Sequence, residues 1–236
     1  MKLFLVCTVF LVLSSSLLAQ TAKIMLVTGG HSYDTLQFLR MFDSLENISF
    51  EHFNQPLANQ ALVNGTAEGF DVLVFYDMWR KITEPEKEAF LKLTRQGKPF
   101  LFLHHALVSY QEWTEFENLL GGRYVENAGQ PKARQSTYEH DVWVDIEIAD
   151  NHHPATLGMN NFRIFDEVYG NFRVLPQVKP LLKTNHPLST PVIGWENRYN
   201  SSSIIYLQPG HDKNAFESEN YRRLVTQAIR YLAGKK

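Results

Sequence analysis

From Lys23 onward the chain alternates short, β-rich apolar runs with stretches of helical period, and this alternation restricts its fold more than any other feature. KIMLVT, ISFEHF, DVLVFYD and FLFL have the length and the β-branched or aromatic content of strands. Between them, DTLQFLRMFDSLE places Leu36, Leu39 and Met41 or Phe42 on one helical face. TEPEKEAFLKLTRQG carries a capping box of Thr83 and Glu86, Pro85 in the first turn and Gly97 at the C-terminal end. After FLFL, Ser109 and Glu112 form a second capping box, opening a helix with Trp113, Phe116 and Leu120 on one side and Gly121 at its end. Buried strands separated by amphipathic helices predict an α/β fold: a doubly wound, mainly parallel sheet of flavodoxin-like type, covered on both faces.

The stretch from Tyr124 to Asn200 is richer in Pro, Asn and His, and in EHDVWVDIEI the residues Val142, Val144, Ile146 and Ile148 alternate as in a strand. It is expected to add strands and long loops to the same domain, since no Gly/Ser/Pro-rich linker marks a boundary. SSSIIYLQPGHD returns to a strand with a polar loop behind it. A closing helix is expected from about Phe216 to Ala233, with Tyr221, Leu224, Val225, Ala228, Ile229 and Leu232 at helical spacing.

Residues 1–19 have the layout of a secretory signal peptide: Lys2, an apolar stretch from Leu3 to Leu13, and small residues up to a cleavage point after Ala19. The expected product is one domain, residues 20–236, secreted or periplasmic, with no membrane span, since no later segment has ~18 apolar residues in a row. The single cysteine, Cys7, lies in the leader. Disulfides, cysteine nucleophiles and thiolate ligands are thereby excluded from the mature chain. A chain of this length buries roughly 70% of its unfolded surface and needs no covalent staple. With 23 Lys and Arg against 25 Asp and Glu and no basic run, neither nucleic acid nor an anionic membrane is an expected partner.

In open α/β sheets ligands bind outside the carboxyl ends of the strands. Those ends read GGHSYD, YDMW, HHALVSY and QPGHD, each with a histidine, aspartate or tryptophan. In a flavodoxin-like strand order, His31, Asp34, Asp77, Trp79, His104 and His105 share one crevice. Each has a structural alternative: Gly29 and Gly30 permit a tight turn, His31 and Asp34 cap the next helix, Asp77 caps a turn and Trp79 is buried. Of the pair His104 and His105, one is expected to be structural and one functional. His211, after Gly210, is assigned to the pocket.

In DNHHPATLGMNNFRIFDEVYGN, His153 reads as a loop anchor. Asp166, Glu167 and Tyr169 suit acid/base chemistry or the binding of sugar hydroxyls, against the alternative of a solvated carboxylate pair. His52, His140 and His186 are assigned no role. No GxSxG elbow and no HExxH motif occurs, so serine-hydrolase and zincin readings lack support. A divalent metal held by His31, His105 (or His104) and His211 with a carboxylate is chemically admissible, without support from spacing.

GGHSYD, FLFLHHALVSYQEWTEFENLLGGRY, HHPATLGMNNFRIFDEVYG and IIYLQPGHDKNAF, in this order, resemble the ThuA-like (trehalose utilization) family from about Lys23 to the end. The resemblance implies a class I glutamine amidotransferase-like fold. Where true amidotransferases carry a Cys on the elbow after a central strand, this chain has His104 and His105, so amidotransferase activity is excluded. It also implies disaccharide catabolism, including 3-keto sugars, and recurring residues at His31, His104 or His105, Trp113, Asp166, Glu167, Tyr169, Gly210 and His211. The turn YNSSS before the last strand departs from the Gly-rich basic turn common in similar proteins. The expected function is a sugar-processing enzyme, a hydrolase or lyase acting on a glycoside or keto-glycoside. His105 or His31 would be the base, and Glu167 the acid or the orienting group. The rival is a non-catalytic carbohydrate-binding domain using the same crevice.

Overall fold

The computed structural model describes residues 20–126, 129 and 131–235, without the side chain at 133. The expected signal peptide lies outside these residues. Its strands are β1 (Ala22–Gly29), β2 (Ile48–Asn54), β3 (Val72–Asp77), β4 (Phe100–Leu103), β5 (Gly122–Arg123), β6 (Thr137–Ile148), β7 (Phe162–Gly170), β8 (Arg173–Val174), β9 (Lys179–Lys183), β10 (Val192–Tyr199) and β11 (Ser202–Leu207). Its helices are α1 (Thr35–Asp43), α2 (Leu57–Val63), α3 (Glu84–Arg95), α4 (Glu115–Leu120), α5 (Lys213–Glu217) and α6 (Glu219–Leu232). No helix among the described residues is long and apolar enough to cross a membrane.

Among the described residues the main sheet has the order β2-β1-β3-β4-β11-β10-β9-β6-β7. Strands β2, β1, β3, β4 and β11 run parallel, the doubly wound arrangement of flavodoxin-like order. Strands β10, β9, β6 and β7 extend it by antiparallel pairings and are the strands expected from the second half.

Period-two alternation in the buried strands feeds two cores. Ile24, Leu26, Val74, Leu101 and Leu103 face α1 and α6, whereas Met25, Val27, Phe75, Phe100 and Phe102 face α2, α3 and α4. The Thr83–Glu86 capping box forms, with the Thr83 amide donating to Glu86 Oε2 at 2.7 Å, and Gly97 ends α3 at φ +80°.

The structure differs from the local expectations at four points. Leu36 is 57% exposed, and α1 buries Phe38, Met41 and Phe42 instead, because the sheet lies under that stripe. Ser109 caps no helix: its hydroxyl donates to the Asp77 carbonyl at 3.0 Å, residues His104–Val108 form a 3₁₀ turn, and α4 starts at Glu115. The closing helix forms as α6 with the expected buried face but starts at Glu219, since Ser218 leaves the helical region and its hydroxyl accepts from the Tyr221 amide, which leaves Phe216 in the short α5. Helix α2, which was not anticipated, joins β2 to β3.

Asp77, at the end of β3, is fully buried away from the histidines. Its Oδ2 accepts from Gln55 Nε2 at 2.8 Å, and its Oδ1 stands 3.3 Å from the Ser109 hydroxyl. Burial raises its pKa from 3.8 to about 7, against the opposing hydrogen bonds of Gln55 and Ser109. The folded protein therefore binds this proton more tightly than the unfolded chain. Its contribution to stability is full below pH 3.8 and is lost as pH rises to about 7. Asp77→Asn is expected to remove that loss, so that urea melts show the variant gaining on the wild type between pH 5 and pH 8. A stability difference constant over that range would refute the assignment.

Candidate functional site

The parallel strands β1, β3, β4 and β11 leave the sheet on one edge, and the sheet curls until β7 meets the same edge. Gln208, just after β11, shows the closure: its Nε2 donates to the Glu167 carbonyl at 2.8 Å. At this edge β4 ends abruptly. His104 takes φ +42°, a left-handed conformation uncommon for a side-chain-bearing residue. The turn points successive imidazoles in different directions, with the rings of His104 and His105 perpendicular at 4.3 Å.

His104 is fully buried. Its Nδ1 lies 2.5 Å from the Gln208 carbonyl, which can only accept, so Nδ1 carries a proton. Its Nε2 faces Glu167 Oε2 at 2.8 Å, the Tyr169 hydroxyl at 3.0 Å and His211 Nδ1 at 3.2 Å. Glu167 Oε2 also lies 3.0 Å from His211 Nδ1, and its Oε1 lies 3.3 Å from His140 Nδ1. Burial opposes ionisation of Glu167, but the hydrogen bonds and charges of His104 and His211 outweigh it and hold the carboxyl well below the usual range. Burial likewise opposes the charged form of His211, and the hydrogen bond and charge of Glu167 outweigh it, raising the pKa. His105 goes the other way: burial, then the like charges of His104, His31 and His211, push its pKa well below 6.5.

His105, Glu167, Tyr169 and His211 line one cavity of about 260 Å³, together with Tyr124, Tyr138 and His140. His31 stacks on His105 with ring centroids 3.8 Å apart and backs the cavity without lining it. The donors His104, His105, Glu167 and His211 lie within 4.8 Å of one another and are the group that could hold a metal ion. This corrects the expected set, because stacking sets His31 behind His105 while the β4 turn aims His104 inward.

The remaining sequence candidates stand elsewhere. Asp166 is buried below the cavity, where its carboxylate accepts from the Gly210 amide at 2.8 Å and the His211 amide at 2.9 Å. It positions the loop that carries His211 and contacts no cavity space. Gly210 sits at φ +122°, and a Cβ there would stand 2.2 Å from the Tyr221 hydroxyl, so it serves by its lack of a side chain. Asp34 Oδ2 accepts from the Lys213 amide at 3.0 Å, tying α1 to α5. Asp77 belongs to the separate network with Gln55, as its side chain faces the other side of the sheet. Trp79 packs half-buried on the second core, its amide bonded to the Ser109 hydroxyl. Trp113 is buried against Phe90 and Phe116. His153, read as a loop anchor, pairs with Glu196 at 3.2 Å.

His140, Tyr124, Tyr138 and Gln208 were missed. His140 enters because Asp141, at φ +57°, makes a bulge in β6 between Glu139 and Val142 and sets His140 across from Glu167. An alternating strand pattern carries no mark of such a bulge. Gln208 was within reach, since it directly follows the last buried strand.

A doubly wound α/β domain with a histidine-rich pocket at the carboxyl edge of its parallel strands is the class defined by this geometry. The chain belongs to the ThuA family: the family model described as trehalose utilisation matches residues 23–232. No curated protein matches the sequence. The fold is similar to that of a ThuA-like protein from Parabacteroides merdae, with TM-score 0.74, 14% identity and coverage of 91% of this chain and 90% of that one. A ThuA-like protein from Bacteroides uniformis gives TM-score 0.69 at 19% identity, covering 91% and 92%. A β-galactosidase from Bacillus circulans gives 0.60 at 12%, over 93% of this chain but 32% of that one.

The Gly210 contact yields a test of how the His211 loop is held. Gly210→Ala is expected to cost about 2 kcal/mol through strain and overpacking, read as a lower urea midpoint. A variant as stable as the wild type would show that the loop is free to move off Tyr221.

Proposed function

We propose that this protein is a carbohydrate-processing enzyme that binds one sugar ring in the His105–Glu167–His211 cavity and acts on it by proton transfer. The observation that carries the reading is the composition of that one cavity. Three imidazoles and two carboxylates stand beside three phenols, which suits both the polarisation of sugar hydroxyl or carbonyl groups and stacking on a pyranose face. Tyr138, 59% exposed at the rim, offers such a face. A volume of about 260 Å³ suits a single monosaccharide unit. A neighbouring groove of about 560 Å³ shares Glu126 with the cavity and leaves room for the second unit of a disaccharide. Membership of a family described by trehalose utilisation supports this substrate class. The leader-like residues 1–19 support action outside the cytoplasm, on a sugar met in the periplasm or medium.

His105 is proposed as the base, with the Glu167–His211 pair supplying or orienting the proton on the other side of the ring. A second reading, a carbohydrate-binding domain without turnover, is supported by the β-galactosidase similarity, in which this fold occupies a minor part of a longer chain.

Purified protein is to be assayed for turnover against trehalose, other disaccharides and their 3-keto derivatives. Turnover of at least one of them is expected, falling by about 10²–10⁴-fold in His105→Ala. Saturable binding with no turnover across the panel would establish the binding-domain reading. Neither binding nor turnover would dismiss both.

A further inference from the structure

The floor of the cavity holds an arrangement that the proposed proton transfer does not account for. His104 Nδ1–H donates a hydrogen bond to the Gln208 carbonyl, so in the neutral ring Nε2 presents a lone pair. That lone pair faces the carboxylate oxygen Oε2 of Glu167 at 2.8 Å and Nδ1 of His211 at 3.2 Å, and those two atoms are 3.0 Å apart. Three atoms of metal-ligand type thus close a triangle in a site where His104 is fully buried and Glu167 nearly so. In the metal-free protein a proton on His211 Nδ1 and the single proton of the Tyr169 hydroxyl bridge these atoms. A cation at the centre satisfies all three at once.

The dimensions agree. Donors around a tetrahedral ion with bonds of 2.0–2.1 Å stand roughly 3.3 Å apart. The three contacts of the triangle are near that spacing. His105 completes the set within the 4.8 Å span of the four donor atoms, and its Nδ1 is buried without a hydrogen-bond partner. The surroundings resemble those that orient metal-binding imidazoles: the Gln208 carbonyl fixes the tautomer of His104, and Asp166 holds the backbone of His211 through two amides. We propose that His104, His105, Glu167 and His211 form a binding site for one divalent first-row transition ion, with Zn²⁺ or Mn²⁺ as the ions to test.

The donor chemistry sets the class. Three imidazole nitrogens and one carboxylate oxygen suit zinc, manganese, iron or cobalt, whereas magnesium and calcium require a shell of oxygens. No cysteine lies within residues 20–236, so a thiolate site for a softer ion cannot form. Because His105, Glu167 and His211 line the cavity, an ion among them is reachable by a ligand there. It would act as a Lewis acid on a hydroxyl or carbonyl oxygen, and proton transfer would pass to His140 or to bound water. The inference shares its cavity with the proposed function but is read without any sugar.

The test uses the full chain without an affinity tag, stripped with a chelator, dialysed, and titrated calorimetrically with ZnCl₂, MnCl₂ and MgCl₂. Elemental analysis follows gel filtration. One equivalent of zinc or manganese is expected to stay bound, and magnesium is expected not to. Glu167→Gln and His211→Ala, each checked for a native circular dichroism spectrum, should weaken binding at least 100-fold, while His152→Ala on the surface should leave it unchanged. If a variant fails to fold, Co²⁺ added to the wild type gives the answer alone, through tetrahedral d–d absorption that disappears on addition of one equivalent of Zn²⁺. Substoichiometric metal with no cobalt spectrum, or binding that survives both substitutions, overturns the proposal. A metal-loaded protein that turns over no sugar would leave the ion site standing and defeat the enzyme reading. Sugar turnover by a protein that binds no ion would do the reverse.

Discussion

The hydrogen bond from His104 Nδ1 to the Gln208 carbonyl joins the ends of β4 and β11, and the architecture of the cavity depends on it. Both strands are parallel and end on the same edge, so the loops behind them begin side by side. The bond fixes the ring of His104 across that edge, and the Tyr206 hydroxyl, from β11, donates to the His104 carbonyl at 3.1 Å. A buried polar group costs free energy unless its partners are in place. Nε2 of the same ring therefore requires partners from outside the parallel strands, and Glu167 and Tyr169 on β7, with His211, stand around it. The curl of the antiparallel extension and the conformation of the β4 turn are two consequences of one buried imidazole.

The polar floor is tolerated because apolar packing surrounds it. On one side, the rings of Tyr33, Phe38, Tyr76 and Phe216 pack together beneath His31 and His105. On the other, Trp195, Tyr206 and the phenylalanines of β4 fill the second core. Such rings bring large buried area and also reach polar groups: the Tyr76 hydroxyl donates to the His211 carbonyl at 2.9 Å. The loop carrying His211 is thus held from two directions, by Tyr76 and by Asp166. A side chain positioned in this way loses little entropy on meeting a ligand, which is what a binding or catalytic site needs.

The family and the fold are narrower statements than the function. Likeness to solved structures at 14% and 19% identity concerns the course of the backbone, while chemistry belongs to the side chains at the strand ends. In this chain those side chains form a compact group of imidazoles around one carboxylate. Its chemical character differs from that of the Asp77–Gln55 network and the His153–Glu196 pair, which serve to join elements.

The sequence by itself determined the alternation of elements, the parallel arrangement and the edge on which polar residues would gather. These follow from local quantities: strand length, helical period, and the rule that parallel strands present their carboxyl ends together. Through that rule His105 and His211 were legible as candidate site residues, though they are far apart along the chain, and Glu167 was legible from the carboxylate pair and nearby phenol of its own segment. The roles within the group were decided by tertiary structure. Whether His104 or His31 joined the inner set depended on a left-handed turn and on the stacking of His31 behind His105, neither of which leaves a periodic trace. Trp113 and Asp77 looked like ligands because tryptophan and aspartate near strand ends suit both burial and binding, and only the direction of each side chain separates the two. His140 was unreadable because a single-residue bulge at Asp141 reversed the face it presents, a choice made by pairing with β7 rather than by the residues of β6.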